Sequence, residues 1–195
     1  RDAAMALLFG ALPPATLDYI FAEPEPSSFR FHNPQAHRPI MTTRIIGSTF
    51  HCDRLVRFSH CDPAGIVFYP QYFIMFNGLV EDWFNLGLGV NYANYITEHR
   101  LGFPIVSLDC RFESPSKIGE IITFALRLEG LGRSSLKLSV ECSHKGQTRL
   151  HANKVLVAMD LDKGRAVPLP DDLRALLEGF QQGRLDINGF EDADS

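Results

Sequence analysis

The stretch Ser59-His60-Cys61-Asp62-Pro63-Ala64-Gly65-Ile66-Val67-Phe68-Tyr69-Pro70-Gln71-Tyr72 puts a carboxylate, a glycine and the start of a helix within a few residues of one another. Asp62 precedes Pro63, which biases its backbone toward extended conformations, and Gly65 accepts a positive φ, so the chain can fold back sharply between them. The carboxylate is then able to face the helix mouth. Pro70 suits the first helical turn, because the N–H it lacks is one that a helix leaves unpaired anyway. The amides of Tyr69, Gln71 and Tyr72 are expected to lack helical acceptors, and the aligned peptides place roughly +0.5 of a charge at that end. Amides that hold a developing oxyanion, opposite a carboxylate that attacks or activates water, suit acyl transfer. An Asp beside Pro and Gly is equally the ordinary chemistry of a turn, so local composition leaves both readings open.

The element behind this loop gives a clear periodic signal. From Pro70 to Leu86 the apolar residues Tyr72, Phe73, Phe76, Leu79, Val80, Trp83 and Phe84 recur at helical spacing, with Gly78, Glu81, Asp82 and Asn85 as a narrow polar stripe. A helix of that kind is buried on most of its circumference. Phe68 and Phe73 are placed to pack as a hydrophobic staple, and Gly87 and Gly89 mark the stop. Before it, Val56 and Phe58 alternate with Arg57 and Ser59, predicting a short strand whose parity continues to His60 and Asp62. After it, Asn91 to His99 predicts a short helix.

Four alternating segments follow: Val106 to Phe112, Ile122 to Leu128, Leu136 to Cys142, and Leu150 to Met159. The last changes parity near Lys154, which predicts a β-bulge. The turns at Ser114–Gly119, Gly130–Arg133 and His144–Gln147 are short, so these strands are expected to pair antiparallel as hairpins or close neighbours, with one face in the core and the other in water. Asp171 to Phe180 predicts a closing helix. One long apolar helix followed by a run of antiparallel strands is the pattern of an α+β fold with the sheet curled round the helix.

Residues 1–45 read as an N-terminal extension, 46–180 as the folded domain and 181–195 as a polar tail. Six of the twelve prolines fall before residue 40, and Met41 follows, so translation starting at Met41 is one expectation. The net charge of -4 argues against a nucleic-acid protein that binds by neutralising phosphates. The apolar run Ala3–Leu12 is about half the length a membrane-crossing helix requires. The four cysteines, Cys52, Cys61, Cys110 and Cys142, lack the paired spacing of a zinc site and are read as reduced thiols of a cytoplasmic protein; no metal is expected. Glu81 lies eleven residues past Pro70, about 16 Å along a helix, too far to share a site with Asp62 in the same chain.

Asp62-Pro63-Ala64-Gly65-Ile66-Val67, an aromatic pair and Pro70-x-Tyr72 together resemble the signature of the hotdog-fold acyl-CoA thioesterases of the 4-hydroxybenzoyl-CoA thioesterase family. The likeness runs over roughly residues 50–180. It implies a long helix wrapped by a curved antiparallel sheet, a homodimer or homotetramer with sites at subunit interfaces, and hydrolysis of an acyl-CoA without a cofactor. By the same resemblance Asp62 is the catalytic carboxylate and Tyr69, seven positions on, offers its main-chain amide. His60 stands where that family has an Asp. The turn Gly130–Ser135 resembles the place where family members contact the nucleotide, which makes Arg133 and Ser134 substrate-binding candidates, with Lys137 and Arg165 behind them. Trp83 and Phe76 are candidates for the acyl pocket. A non-catalytic acyl-CoA sensor and a thioesterase acting on acyl carrier protein are the rival readings, and neither sensor binding nor the choice of acyl group is decided by residue pattern.

Overall fold

The computed structural model describes residues 42–185; the expectations for residues 1–41 of the N-terminal extension, for a start at Met41 and for most of the polar tail lie outside them, while the last residues given to the extension, 42–45, fall inside and lead into the first strand. The strands are β1 (Thr43–Ile46), β2 (Thr49–Leu55), β3 (Leu101–Gly102), β4 (Ile105–Phe112), β5 (Ile121–Leu131), β6 (Ser135–His144), β7 (Gln147–Val157), β8 (Met159–Asp160) and β9 (Arg165–Ala166). The helices are α1 (Tyr69–Asp82), which runs on as a π turn over Trp83–Gly87, α2 (Tyr92–Thr97) and α3 (Asp171–Gln181). Six strands form one antiparallel sheet in the order β1-β2-β5-β6-β7-β4, and β3, β8 and β9 form a small second one.

The long helix lies against the inner face of this sheet as its periodicity predicts. Tyr72, Met75, Phe76, Leu79, Val80, Trp83 and Phe84 are buried, against Phe50, Ile122, Phe124, Leu138 and Leu150 from the strands. Each such apolar side chain stabilises by about 1.5–3 kcal/mol, and edge-on ring pairs such as Phe76 with Phe124, centroids 6.0 Å apart, add directional preference. The π turn packs closely because position 87 has no side chain: a Cβ there would stand 2.8 Å from the Trp83 ring. Asn91 caps α2 by accepting from the Asn94 amide. Leu173, Leu177 and Phe180 of α3 are buried and close one end of the core, with Phe180 meeting Trp83 at 5.2 Å. Among the described residues no helix is long and apolar enough to cross a membrane.

Four expectations change. The strand read over Val56 and Phe58 ends at Leu55; Phe58–His60 is a 3-10 turn with Phe58 mostly exposed, so the parity argument that placed His60 beside Asp62 does not hold. The hydrophobic staple is relayed: Phe68 meets Tyr69 at 5.4 Å and Tyr69 meets Phe73 at 6.2 Å. β4 and β5 are not neighbours, because β2 and β6 occupy both edges of β5; the connection arches across to β4, which pairs with β7 at the sheet margin. As a margin strand with little of its own chain above it, β4 has no buried face, and Val106, Leu108 and Phe112 are exposed.

The fourth change is at Lys154. The register from Lys137↔Val155 to Cys142↔Leu150 runs unbroken, so β7 carries no extra residue; the nearby shift lies in β4, between Ile105 and Ser107 opposite Leu156 and Val155, and Lys154 itself takes the inward position between Leu108 and Leu138. It is 1% exposed, its Nζ donates to the Phe76 carbonyl at 3.1 Å and stands 5.4 Å from the Phe76 ring centroid. Burial pulls this amine down from 10.5 to about 7. The unfolded chain therefore holds the proton up to a higher pH than the native one. The resulting destabilisation is full below about pH 7, declines as pH rises, and is gone above the unfolded value of 10.5. Lys154→Met is expected to gain about 1–3 kcal/mol near pH 7, with the gain shrinking toward pH 10, as read by thermal unfolding across that range.

Candidate active site

The loop from His60 to Phe68 is closed on itself by main-chain pairing. Cys61 and Val67 form an antiparallel bridge, the Phe68 amide donates to the His60 carbonyl at 3.0 Å, and the Asp62 amide donates to Ile66 at 3.0 Å. Within it the Gly65 amide donates to the Asp62 carbonyl at 2.9 Å, which requires the positive φ of 73° that Gly65 adopts. Asp62 is half-buried, and its Oδ1 accepts from the Ala64 amide at 2.9 Å, an Asx turn that fixes the carboxylate's orientation while Oδ2 has no donor among the described residues.

At the end of the loop α1 begins, with Phe68 extended at its N-cap and no side chain capping it. The Tyr69 amide has no acceptor among the described residues, whereas Gln71 donates to Phe68 at 2.8 Å; of the amides expected to be open at this helix start, Gln71's is therefore taken. Asp62 and Gly65 are thus held in one short closed loop, and Tyr69 follows it as the first residue of α1.

That segment is pinned from outside by the Ser114–Gly119 connection. Val67 donates to Ser116 at 2.9 Å, Ile118 donates to Gly65 at 3.0 Å, and Ile66 bridges Lys117. Ser116 is fully buried, and its Oγ accepts from the Tyr72 hydroxyl at 2.8 Å, tying the first turn of α1 to the same connection. Burial pushes the Tyr72 phenol above its ordinary value, so it remains a donor.

The connection is held in turn by Arg149. Its Nη2 donates to both Glu120 oxygens at 3.0 and 3.1 Å, and its Nη1 reaches Ser114 Oγ at 3.3 Å and Gln147 Oε1 at 3.1 Å. Glu120 also accepts from the Lys117 amide at 2.9 Å. None of these supporting residues stands out by local pattern. Arg149 and Leu150 are both buried in β7 where the β6–β7 register shifts between Cys142 and Ser143, a consequence of strand pairing that residue order does not reveal.

Two cavities flank the loop and helix start. One, about 300 Å³, is bounded by Ile66, Val67, Tyr69, Tyr72, Phe112 and Ser114. The other, about 370 Å³, lies on the opposite flank of α1 beside Arg54, Arg57, His60 and Gln71. His60 Nδ1 accepts from the Arg57 amide at 3.0 Å, and burial with the Arg57 and Arg54 charges holds its pKa below the usual histidine range.

Other candidates sit elsewhere. Trp83 and Phe76 are core residues with no exposed surface, so the apolar cavity draws instead on Tyr69, Tyr72 and Phe112. Glu81 is exposed far along α1. Arg133 and Ser134 occupy the turn after β5, at the opposite end of that strand from the loop, roughly 34 Å away at about 3.4 Å per residue. Within one chain they cannot meet Asp62. Burial raises the Cys52 thiol to about 11 and the Cys142 thiol to about 12, and it also raises Cys61, so the cysteines are not primed as nucleophiles.

A long helix wrapped by a single antiparallel sheet, with a carboxylate loop at the helix start, is the hotdog arrangement. The chain belongs to the thioesterase-like superfamily, whose family model matches residues 56–177. It is 22% identical over 130 residues to a 1,4-dihydroxy-2-naphthoyl-CoA hydrolase of Synechococcus elongatus, covering 66% of this chain and 95% of that protein. Among solved structures, a 1,4-dihydroxy-2-naphthoyl-CoA thioesterase from Synechocystis superposes with a TM-score of 0.61 at 22% identity, covering 66% of this chain and 95% of the other. A gentisyl-coenzyme A thioesterase gives 0.57 at 26% identity, with 65% and 98% covered. A Staphylococcus aureus protein solved in complex with CoA gives 0.65 at 14% identity, with 76% and 93% covered.

The dependence of the loop on Arg149 is measurable. Arg149→Met removes the bidentate partner of a mostly buried Glu120 and is expected to cost about 2–4 kcal/mol in urea unfolding, with Glu120→Gln recovering part of the loss in the double variant.

Proposed function

We propose that the protein hydrolyses an acyl-CoA to the free acid and CoA, with the thioester bound between Asp62 and the Tyr69 amide. The observation that carries this reading is the closed 60–68 loop running directly into α1, which sets a carboxylate oxygen without a donor among the described residues a few positions before a helix-start amide without an acceptor among them. Membership of the thioesterase-like superfamily supports it. So does the presence of CoA-thioester hydrolases among the proteins it is similar to.

In this mechanism the thioester carbonyl oxygen accepts from Tyr69 N–H, and the positive end of the α1 dipole favours the charge that develops there. Two routes are open to Asp62. As nucleophile it forms a mixed anhydride as the C–S bond breaks, and water then cleaves the anhydride. As general base it takes a proton from water, whose oxygen bonds to the acyl carbon as the thiolate leaves and is protonated. Gly65 serves by permitting the turn.

The lining of the smaller cavity by Tyr69, Tyr72 and Phe112 supports an aromatic acyl group, in keeping with the aromatic CoA esters named for the similar hydrolases. The uncovered margin of β4, with exposed Val106, Leu108 and Phe112, supports a homodimer in which a second copy pairs along that strand. Arg133 and Ser134 of such a copy are then the nucleotide contacts. A cytoplasmic location suits four cysteines that form no disulfide.

Asp62→Asn is expected to lower kcat by about two to four orders of magnitude in a thiol-release assay with a panel of aromatic, short and long acyl-CoAs. Near-normal turnover would refute the assignment, and binding of acyl-CoA without thiol release by the unaltered protein would favour the sensor. Single turnover in heavy-oxygen water separates the routes: label entering Asp62 on a later turnover marks the anhydride.

The amide has its own test. Tyr69 is the first helical residue and Phe68 is already extended, so Tyr69→Pro fits the backbone while deleting the N–H. It is expected to cost about 10²–10³ in kcat, whereas Tyr69→Phe keeps the amide and stays within a few-fold of the wild type.

A further inference from the structure

One side of α1 is left without cover by its own chain. Gln71, Ile74, Gly78, Glu81 and Asn85 follow one another at spacings of three and four residues, so they form a single stripe along the helix and its π turn. On this stripe Ile74 is 63% exposed, and Glu81 is exposed as well. Beside its first half opens the cavity of about 370 Å³, which has no part in the reaction described above. Leu55 and Met75 give that cavity an apolar lining, and Arg54 and Arg57 give it positive charge. Arg54 is neutralised by its ion pair with Asp82. Arg57 is exposed and makes no ion pair among the described residues, and the same holds for Glu81. On the outer face of the sheet, by contrast, Asp53 accepts from Thr42, Arg44 and Thr123, Arg127 donates to Thr49, and Glu129 accepts from Ser139, so these charges call for no second chain.

The order of residues along the stripe is self-complementary. A cation stands beside the helix start, an anion lies about 15 Å further along at 1.5 Å per residue, and between them a branched side chain precedes, by one helical turn, a residue that has none. A two-fold axis crossing midway between Ile74 and Gly78, with the helices antiparallel, sets Ile74 of each copy over Gly78 of the other and Glu81 of each opposite Gln71 and Arg57 of the other. A Cβ at position 78 would already stand 3.2 Å from Arg54 Nη2, so the glycine leaves the depression that an incoming isoleucine fills. That isoleucine enters the mouth of the cavity, toward Leu55 and Met75. Antiparallel helices also set the positive end of one dipole beside the negative end of the other. We propose that α1 packs antiparallel against α1 of a second copy through this stripe, as a contact separate from the β4 margin. A dimer joined by antiparallel β4 strands carries both α1 helices on one face, so two such dimers make the contact twice and form a tetramer. The proposal does not depend on the chemistry at Asp62.

The test is sedimentation equilibrium of the full chain over a range of concentrations, as wild type, Ile74→Glu, Arg57→Glu, Glu81→Arg and the double variant Arg57→Glu/Glu81→Arg. All three positions are exposed, so the substitutions leave the core intact. Ile74→Glu places a charge in the apolar mouth of the partner cavity and is expected to halve the mass of the assembly. The halving runs from tetramer to dimer where the β4 pairing holds and from dimer to monomer where it does not, which tells the two contacts apart. Each single charge reversal sets like charges together on both sides of the two-fold axis and is expected to raise the dissociation constant of this contact by at least about tenfold. The double variant exchanges the two charges and is expected to recover most of the loss. Equal mass for wild type and Ile74→Glu at every concentration overturns the proposal, and so does a double variant that associates no better than the single ones. Should Ile74→Glu fail to fold, the charge-reversal series decides by itself.

Discussion

The main-chain bonds between the 60–68 loop and the Ser114–Gly119 connection are the constraint on which the site depends. A loop with Pro63, Ala64 and Gly65 at its tip has little side-chain packing of its own, so its shape must come from backbone pairing. Val67 to Ser116 and Ile118 to Gly65 provide that pairing from one side, and the Cys61–Val67 bridge from within. The connection would be equally loose without an anchor. Arg149 gives it one, because a guanidinium mostly removed from solvent and bound through both Nη atoms leaves Glu120 and Ser114 few alternative positions.

The helix start is fixed by the same connection through a different chemistry. Tyr72 buries its ring against Phe112 at 5.7 Å and gives its hydroxyl to Ser116, so the first turn of α1 and the loop share one support. The carboxylate and the open amide are therefore held through one support, although Asp62 has no salt bridge among the described residues.

Lys154 shows the opposite economy. An amine in the core, with one carbonyl and a ring face for partners, costs stability that an apolar side chain would not. Its position beside the margin strand β4 also explains why alternation misled at this point: a lysine facing inward breaks the apolar pattern, and a bulge is the simplest way to turn it outward when only the pattern is known.

Local information was sufficient for α1, for the existence of α2, for α3, for the hairpin turns of β5–β6 and β6–β7, and for the tight turn at Gly65, because each depends on residues close in the chain. The grouping of Asp62, Gly65 and Tyr69 was legible for the same reason. Long-range pairing decided the rest. The place of β4 at the sheet margin, the support of the loop by Ser116 and Arg149, the inward Lys154 and the distance between Arg133 and Asp62 all follow from which strand lies beside which. That choice is made by the sum of many weak contacts across the sheet, and no window of neighbouring residues contains it.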